Sequence, residues 1–582
     1  MKTLKLMAGI ASLAVAAGAI APVTANAATA KTPATTTQAG SHAAWKTFVD
    51  ATVQHWLALD PAFAVYEGAH QYDGKLPDWS AAGLKAQGDF YRMVIARAGA
   101  FSGLSRDDAF ERDYLVAVAR GKLFWLEDGD QPHTNPSYYI GNGLDPNVYV
   151  SRSYAPKAER MKAMIAFFKG IPSAAAQIRA NLKTPMPISF VDLGVDAFKG
   201  FADYYRGDAR AAFADVKDPA LQAAFKASSE QAGAAMQALA DWLDAQRTSA
   251  TTDYALGPAK FARMLKETEL VDIPLDQLEA VAKADLKRNQ DALKSACAAY
   301  APGQSIPDCF AKMSADKPAD GPVAEARREI PELAAFVREK DLLTIPGTKM
   351  AQVEESPPYN RANSAYMDPP GPLEKGATSV YYISPPDPSW PREKQLGYIP
   401  GKADLLFTTV HEVMPGHYLQ FLHSNASPSI VGKLWVGYGF AEGWAHYTEQ
   451  MMWDAGLGDG APEIHVGELS NALLRDCRFL SAIGLHTGTM TQEQSKALFM
   501  TQCYTDEGNA EQQAARGTYD PEYLNYTLNK LMITKLREDW TATRGGRKAW
   551  KAFHDEFLSY GGPPVPLVRQ AMMHEDAPHA VF

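Results

Sequence analysis

Apolar residues recur at intervals of three and four along most of the chain. Such stripes run through Met236, Leu239 and Leu243, and through Leu278, Ala282 and Leu286. Because an α-helix completes a turn every 3.6 residues, this spacing places the apolar side chains on one helix face. Period-two alternation, which indicates strands, is scarce. The pattern predicts a mainly α protein with a large multi-helical body, whose packed helical hairpins include the segments 158–182, 208–246 and 274–299.

One proline-rich region, 354–401, departs from this pattern and is expected to be extended. Within it, 378–383 combines β-branched and aromatic residues, so a small β segment is expected near 376–386. An edge strand here would pair with an extended peptide through main-chain hydrogen bonds. Tyr381 and Tyr382 are therefore candidate substrate-binding residues. A proline-rich loop packed over the helices is the alternative.

The first 27 residues have the layout of a secretory signal peptide. Lys2 and Lys5 precede an uncharged apolar stretch over 6–23, and the Ala-Asn-Ala of 25–27 forms an A-x-A-type cleavage site. An uncleaved membrane anchor is the alternative. No second segment of 18 or more apolar residues follows, so no stable membrane insertion is expected after cleavage. These features predict a periplasmic or secreted protein.

Composition and charge narrow the class of protein further. Residues 28–42 are small and Thr-rich and are expected to form a disordered leader, and 43–582 a single large helical catalytic domain with its active-site helices within 402–455. An apolar fraction of 46% with 21% charged residues is typical of globular proteins and excludes wholesale disorder. The formal net charge of -10 argues against a nucleic-acid partner.

Four cysteines, Cys297, Cys309, Cys477 and Cys503, fit an exported protein in an oxidising compartment. The separation of 12 residues favours a disulfide between Cys297 and Cys309 that closes a turn between helices. The other two cysteines are then left to pair. Four buried, reduced thiols are the alternative. Since no Cys-x-x-Cys is present, the four do not indicate a zinc ribbon.

The strongest candidate chemistry lies at His411, Glu412 and His417. In H-E-x-x-H zinc helices, two His four residues apart share a face and the Glu activates water. Here the two His are six apart, so on a regular helix the second ring would point about 120 degrees from the first. Pro415 removes a helical hydrogen bond, and Gly416 tolerates the resulting backbone angles. We therefore expect a local bulge in the helix that brings both imidazoles to one ion.

A third metal ligand is expected on a following helix, 25 residues beyond His417. Glu442 lies there in an apolar helical stretch. Together with the two His it would leave one coordination position of a single zinc ion open for water. Glu449, seven residues further on, shares that face and is a candidate for orienting a His ring. A surface carboxylate is the alternative for Glu442, which its Phe, Ala and Trp neighbours disfavour.

These motifs resemble the signature of the bacterial "domain of unknown function 885" family, H-E-x-x-P-G-H-H-x-Q followed by E-G-W-A-x-Y-x-E. The chain reads HEVMPGHYLQ and EGWAHYTE, with Tyr418 in place of the family's second adjacent His and Asn529 in place of a usual Gly. Proteins of this family are similar to largely helical zinc metallopeptidases of the gluzincin type. The resemblance covers most of the chain and implies zinc ligands at His411, His417 and Glu442 and a base at Glu412.

The predicted activity is the zinc-dependent hydrolysis of peptide bonds by a metal-activated water, with Glu412 as general base. A hydrogen-bond donor must also meet the developing oxyanion. The resemblance favours Tyr526 for this role, with His486 behind it. Arg475 and Arg478, three residues apart on one helix face, would hold a substrate carboxylate or pair with neighbouring acids.

Two other functions remain as alternatives. A zinc-dependent amidase or esterase would use the same water on a small non-peptide substrate. A periplasmic peptide-binding protein would keep the metal without turnover. Glu412 argues against this second alternative, because a purely structural zinc site needs no base.

Overall fold

A computed structural model of the protein describes residues 38–39, 42–357, 361, 364–374 and 376–582. The predicted signal peptide over 1–27 lies outside the described residues, as does the predicted leader except 38–39 and His42. The described chain is mainly helical, which confirms the predicted fold class. Its helices include none with both the length and the apolar composition that a membrane crossing requires.

The N-terminal part of the described chain consists of eleven helices and two short strands. The helices are α1 (His42–Leu59), α2 (Pro61–Tyr66), α3 (Ala81–Gly99), α4 (Arg106–Leu123), α5 (Gln131–Thr134), α6 (Ser137–Gly141), α7 (Val148–Ser151), α8 (Lys157–Asn181), α9 (Ile188–Arg206), α10 (Asp208–Ala212) and α11 (Pro219–Asp244). The strands β1 (Gln38–Ala39) and β2 (Phe101–Ser102) pair in parallel. The predicted hairpin over 208–246 is divided into α10 and α11, because the Asp218 side chain caps a new helix that begins at Pro219.

The C-terminal part, which carries the two candidate metal-binding motifs, contains fifteen further α-helices. These are α12 (Pro258–Glu269), α13 (Leu275–Tyr300), α14 (Ile306–Ala315), α15 (Pro322–Glu339), α16 (Arg392–Tyr398), α17 (Lys402–Glu412), α18 (His417–Asn425), α19 (Ile430–Leu434), α20 (Tyr438–Asp454), α21 (Pro462–Thr487), α22 (Gln492–Gln502), α23 (Glu507–Tyr519), α24 (Asn525–Ala542), α25 (Trp550–Ser559) and α26 (Val565–Met573). The motifs lie on α17, α18 and α20. Helix α21 packs against α17, and α24 packs against α20.

The one three-stranded sheet of the described residues has the order β3 (Gln352–Glu355), β5 (Val380–Ile383), β4 (Ala365–Asp368). β5 pairs in parallel with β3 and antiparallel with β4. The predicted β segment is therefore present, but the prediction of an edge strand is wrong. Both faces of β5 are buried, because the successive residues Tyr381, Tyr382 and Ile383 are all buried. Burial on both faces is typical of a central strand rather than an edge strand. Its hydrogen-bonding groups are used within the sheet and cannot receive a peptide.

Buried apolar side chains form two clusters, one centred in each of the two parts of the chain. One draws mostly on α1 to α11 and the other mostly on α12 to α26. Trp435, which follows α19, belongs to the first cluster and packs against Trp56 with ring centroids 4.7 Å apart. The predicted stripes of α11 and α13 face these cores, with Met236, Leu243 and Leu278 fully buried.

Two disulfides tie helices of the C-terminal part together. Cys297 in α13 is bonded to Cys309 in α14, and Cys477 in α21 is bonded to Cys503 at the end of α22. Both predicted pairings are confirmed, and the alternative of four reduced thiols is wrong. The second disulfide fixes α22 against the helix that carries Arg475 and Arg478.

Candidate metal centre

The backbone leaves the helical path entirely between His411 and His417. α17 ends at Glu412, and α18 begins at His417 after the non-helical residues Val413 and Gly416. The expectation of a bulge within one helix is therefore wrong, because the six-residue spacing is met by a break between two helices. The break places the last residues of α17 beside the first residues of α18. The His411 and His417 ring centroids lie 4.8 Å apart, at an interplanar angle of 86°.

Gly416 makes this break possible through a very close backbone approach. Its amide donates to the Val410 carbonyl over 2.9 Å. A Cβ at this position would lie 1.7 Å from the His411 carbonyl oxygen and 2.6 Å from that of Val410, well inside van der Waals contact. Only glycine fits this site. The Pro415 carbonyl next to it accepts a hydrogen bond of 3.0 Å from Trp444 Nε1 on α20, which fixes the turn against the helix of the third candidate ligand.

Glu442 on α20 meets both imidazoles. Its Oε2 lies 3.4 Å from Nε2 of His411 and 3.4 Å from Nε2 of His417. One ligand atom from each of the three residues falls within 4.8 Å of the others. Two atoms bound to one zinc at 2.0–2.1 Å with tetrahedral angles would be about 3.3 Å apart, so the separation of Glu442 Oε2 from each imidazole Nε2 fits a shared zinc ion.

The chemistry of the three groups also fits a metal ion. Glu442 Oε2 is buried and has no hydrogen-bond partner of normal geometry, so an acceptor is left without a donor. Burial alone would raise the pKa of Glu442, but the charges of the His417 and His411 rings hold it well below its ordinary value. The carboxylate is thus ionised between two imidazole nitrogens, which is the form that a divalent metal ligand requires.

Glu449 lies behind His411, on the side away from Glu442. Its Oε1 is 2.6 Å from His411 Nδ1, and its Oε2 is 3.3 Å from His446 Nδ1. Arg475 reaches both carboxylate oxygens, at 3.1 and 3.2 Å. Although Glu449 is fully buried, which raises its pKa, the charge of Arg475 keeps the pKa far below the ordinary value. An ionised Glu449 accepts the Nδ1–H of His411 and so directs the ring's Nε2 toward Glu442.

Glu412 is the last residue of α17 and is partly exposed, unlike the neighbouring His411. The pKa of Tyr381 on β5 is raised well above its ordinary value, first by burial and second by the negative charge of Glu412. Tyr381 is itself fully buried, and the Tyr382 ring stacks on Tyr366 at 5.1 Å. The two predicted substrate-binding tyrosines are therefore core residues of the sheet in this conformation.

Tyr526 lies at the site, whereas His486 does not. The Tyr526 ring is nearly parallel to the His411 ring, with centroids 6.3 Å apart. Burial and the charge of Glu442 raise the pKa of Tyr526, so its hydroxyl keeps its proton at neutral pH. His486 is eleven residues beyond Arg475 on α21, or about 16 Å along the helix axis. There its Nε2 contacts the Gly517 carbonyl over 2.7 Å and its ring stacks on Phe261.

Two residues near the site were not among the predicted ones. Tyr438 begins α20, and its ring contacts the Tyr526 ring at 6.0 Å. Its hydroxyl accepts a hydrogen bond of 3.0 Å from Arg516, which also pairs with Asp520. Tyr438 precedes Glu442 by four residues, so helical spacing would have placed it on the same face. No sequence signal marks Arg516, which comes from a distant helix.

A cavity of about 470 Å³ adjoins the first turn of α20. Tyr438, Phe440 and Ala441, which directly precede Glu442, form part of its wall. The remaining wall includes six aromatic residues and the carboxyl groups of Glu67, Glu269 and Glu522. It is a space of the size that a small ligand or a short peptide segment occupies.

Fold and site together define a mainly helical protein with two histidines and one glutamate that could hold a metal ion. The chain belongs to the family described as "Bacterial protein of unknown function (DUF885)", whose model matches residues 61–572. The match includes every residue of the candidate metal centre. No curated protein matches the chain.

Two solved structures share the fold. One is a "putative lipoprotein of unknown function" from Shewanella oneidensis, 26% identical, with a TM-score of 0.75 over 91% of this chain and 99% of that chain. The other is a "putative lipoprotein" from Colwellia psychrerythraea, 16% identical, with a TM-score of 0.77 over 91% of this chain and 98% of that chain. Their descriptions name no reaction.

Proposed function

We propose that the protein is an exported, zinc-dependent hydrolase that cleaves peptide bonds. The observation that carries the proposal is the convergence of His411, His417 and Glu442, with one Glu442 oxygen 3.4 Å from Nε2 of each imidazole. Three protein ligands leave a fourth position for water, which distinguishes catalytic zinc sites from structural ones. The gluzincin-like motif order adds support from the sequence.

A zinc ion held by these three residues would polarise the scissile carbonyl and make a bound water acidic near neutral pH. Glu412 supplies the proton acceptor. It follows a ligand directly, is not itself part of the ligand set and is more exposed than His411. Its carboxylate takes a proton from the attacking water and returns it to the leaving amine. Glu412 is thus the feature that a metal-storage or purely structural site would not need.

Tyr526 provides the hydrogen-bond donor for the developing negative charge. Its ring is held between the His411 ring and the guanidinium groups of Arg475 and Arg478, which lie 5.6 and 4.8 Å from its centroid. These contacts fix the phenol rigidly, as a preorganised oxyanion donor must be. His486 is too far along α21 to share this role. Arg475 is occupied by Glu449 and is a positioning residue for His411 rather than a substrate ligand.

Export is part of the proposal and has three independent supports. The N-terminal residues have the layout of a signal peptide. The chain contains two disulfides, which persist in oxidising compartments. The structural relative from Shewanella oneidensis, 26% identical, is described as a "putative lipoprotein", and lipoproteins are exported. A periplasmic or secreted location follows.

The proposal is tested with purified protein, a mixed peptide library and mass spectrometry of the products. We expect about one equivalent of zinc per chain and chelator-sensitive cleavage. Glu412→Gln keeps the zinc and loses at least ~100-fold in rate, in line with the loss of a general base. Exposed Glu538→Gln, the matched control, keeps both. Hydrolysis that survives Glu412→Gln contradicts the mechanism, and turnover of only non-peptide amides or esters favours the amidase or esterase alternative.

A further inference from the structure

Two buried arginines three residues apart on α21 have opposite electrostatic surroundings. Arg475 pairs with the ionised Glu449 through two contacts of 3.1 and 3.2 Å and also donates to the Asn471 carbonyl. Its charge is therefore fully balanced inside the protein. Arg478 has no such partner: among the described residues, no carboxylate oxygen lies within 4.0 Å of its guanidinium.

Arg478 is nonetheless only 8% exposed. Its Nε donates to the neutral amide oxygen of Gln513 over 2.8 Å, and its guanidinium lies 4.8 Å from the centre of the Tyr526 ring. A buried cation that is balanced only by an amide and an aromatic face costs free energy. Burial and the nearby charge of Arg516 lower the pKa of Arg478. The shift agrees with a positive charge that lacks a balancing negative charge. The local field would stabilise a bound anion.

The position of Arg478 relates it directly to the metal centre. The Tyr526 ring contacts the His411 ring at 6.3 Å and the Arg478 guanidinium at 4.8 Å, so one aromatic ring separates the cation from a metal ligand. Tyr438, which touches the same ring, lines the cavity beside α20. Arg516 stands close by but is already paired with Asp520 at 2.9 Å. Arg478 is therefore a buried charge beside the metal centre that no carboxylate of the described residues balances.

The two contacts of the Tyr526 ring place the Arg478 guanidinium carbon within about 11 Å of the His411 ring centre, a distance that a short peptide end can span. A peptide advances by about 3.5 Å per residue when extended, so a carboxylate one or two residues beyond the scissile bond would come within reach of Arg478. Guanidinium groups bind carboxylates through two parallel hydrogen bonds, and the Arg478 Nη atoms are not engaged by any carboxylate of the described chain.

We propose that Arg478 binds the C-terminal carboxylate of a peptide substrate, so that the protein removes one or two residues from the C-terminal end. The inference rests on the proposed function and specifies its substrate class. It separates the two arginines that the sequence treats alike: Arg475 positions Glu449, and Arg478 contacts substrate.

The test uses N-acetylated peptides of one sequence that end in a free carboxylate or in an amide. We expect the zinc-loaded protein to cleave the free acid with a kcat/KM about 10- to 100-fold higher, the range of a hydrogen-bonded charge, and to release one or two C-terminal residues. Arg478→Met brings the ratio close to one, and Arg478→Lys restores part of it. Arg537→Met is the matched control, because Arg537 is also buried but contacts Tyr447 and Trp550 instead.

A binding measurement separates failure of this inference from failure of the proposed function. In Glu412→Gln protein, isothermal titration calorimetry should show tighter binding of the free acid than of the amide, and Arg478→Met should abolish the difference. Equal cleavage or binding of both peptides overturns carboxylate recognition but leaves the peptidase intact. If the protein neither cleaves nor binds either peptide, the proposed function itself is overturned. A preference for amidated peptides with a Glu side chain near the end assigns Arg478 to a side-chain carboxylate and overturns the C-terminal assignment.

Discussion

At the level of single residues, the centre depends on a chain of charged contacts that runs from Arg475 through Glu449 to His411. A carboxylate that accepts the Nδ1–H of a ligating imidazole sets its tautomer and ring orientation. Glu449 carries out this role in full burial, and this is tolerable only because Arg475 balances its charge. The described residues provide no equivalent support for His417, whose buried Nδ1 finds no hydrogen-bond partner among them.

We expect Glu449→Gln to weaken zinc binding by about 10- to 100-fold, the usual cost of losing a carboxylate behind a ligating His. The variant also leaves Arg475 unpaired. The zinc dissociation constant, measured by competition with a chromophoric chelator, checks this outcome. Glu468→Gln serves as the control, since Glu468 is a buried carboxyl on α21 whose nearest basic partner is His465. Equal zinc affinity in wild type and Glu449→Gln would remove Glu449 from the metal centre.

At the level of elements, the decisive feature is the break between α17 and α18. The six-residue spacing of the histidines works because the chain stops one helix at Glu412 and starts the next at His417. Close packing of α20 on α24 holds the third ligand nearby. A Cβ on Gly443 of α20 would lie 2.2 Å from the Asn529 Cβ on α24, so this glycine accommodates the Asn that replaces the family's usual Gly.

Gly416→Ala should disrupt the break. The new Cβ would lie 1.7 Å from the His411 carbonyl oxygen, so either the α17 end or the start of α18 must move and the two imidazoles separate. We expect zinc affinity to fall by more than ~10-fold and Tm to fall by several degrees, as for other strained or overpacked positions. Zinc titration and thermal unfolding measure the two effects.

Gly200→Ala is the matched control for that variant, because Gly200 lies in α9 and a Cβ there meets nothing within 4 Å. Alanine in an exposed helix interior stabilises by roughly 0.5–1 kcal/mol, so this control should keep zinc affinity and Tm at or above the wild-type values. Unchanged zinc binding in Gly416→Ala would show that the close approach at His411 is not required.

At the level of the whole molecule, many carboxyl groups are buried, and they make stability depend on pH. Burial raises the pKa of Glu67 to about 8, that of Glu269 to about 8 and that of Glu522 to about 7. All three line the cavity beside α20. A raised carboxyl pKa means that the folded state keeps a proton that the unfolded state loses, so the free energy of unfolding falls as pH rises toward 8.

We therefore expect Tm to fall between pH 6.5 and pH 8.5 and Glu269→Gln to reduce that fall by a few degrees. The amide keeps the neutral state that burial favours. Asn525 and Asn529 donate to Glu269 through Nδ2, and a flip of one of these side chains turns its unpaired Oδ1 toward the new NH₂ group. Thermal unfolding at pH 6.5, 7.5 and 8.5 measures the difference. Burial lowers the pKa values of His446 and His554 to about 3. These two histidines therefore change the free energy of unfolding below pH 6.5, outside the range measured here. A Tm difference that is independent of pH would show that Glu269 does not titrate here.

Local pattern allowed much of the molecule to be predicted. Helical stripes such as Leu278, Ala282 and Leu286 reflect a period of 3.6, which each segment carries by itself. The proximity of Cys297 and Cys309 in the chain favoured their disulfide for an equally local reason. The strand at Tyr381 was recognised from its residue types, but its central place in the sheet was not, because β3 and β4 are supplied by other parts of the chain.

By itself, the sequence determined the helical class and which side chains form the candidate ligand set, since these follow from periodicity, spacing and motif, and it favoured the Cys297–Cys309 disulfide. Only the tertiary structure decided that the helix carrying the candidate His ligands is broken rather than bulged and that His486 lies away from the centre. It also decided that Arg475 pairs with a carboxylate whereas Arg478, among the described residues, does not. The reason is physical: the state of a buried charge depends on which partner lies within a few ångströms, and those partners come from helices far apart in the chain.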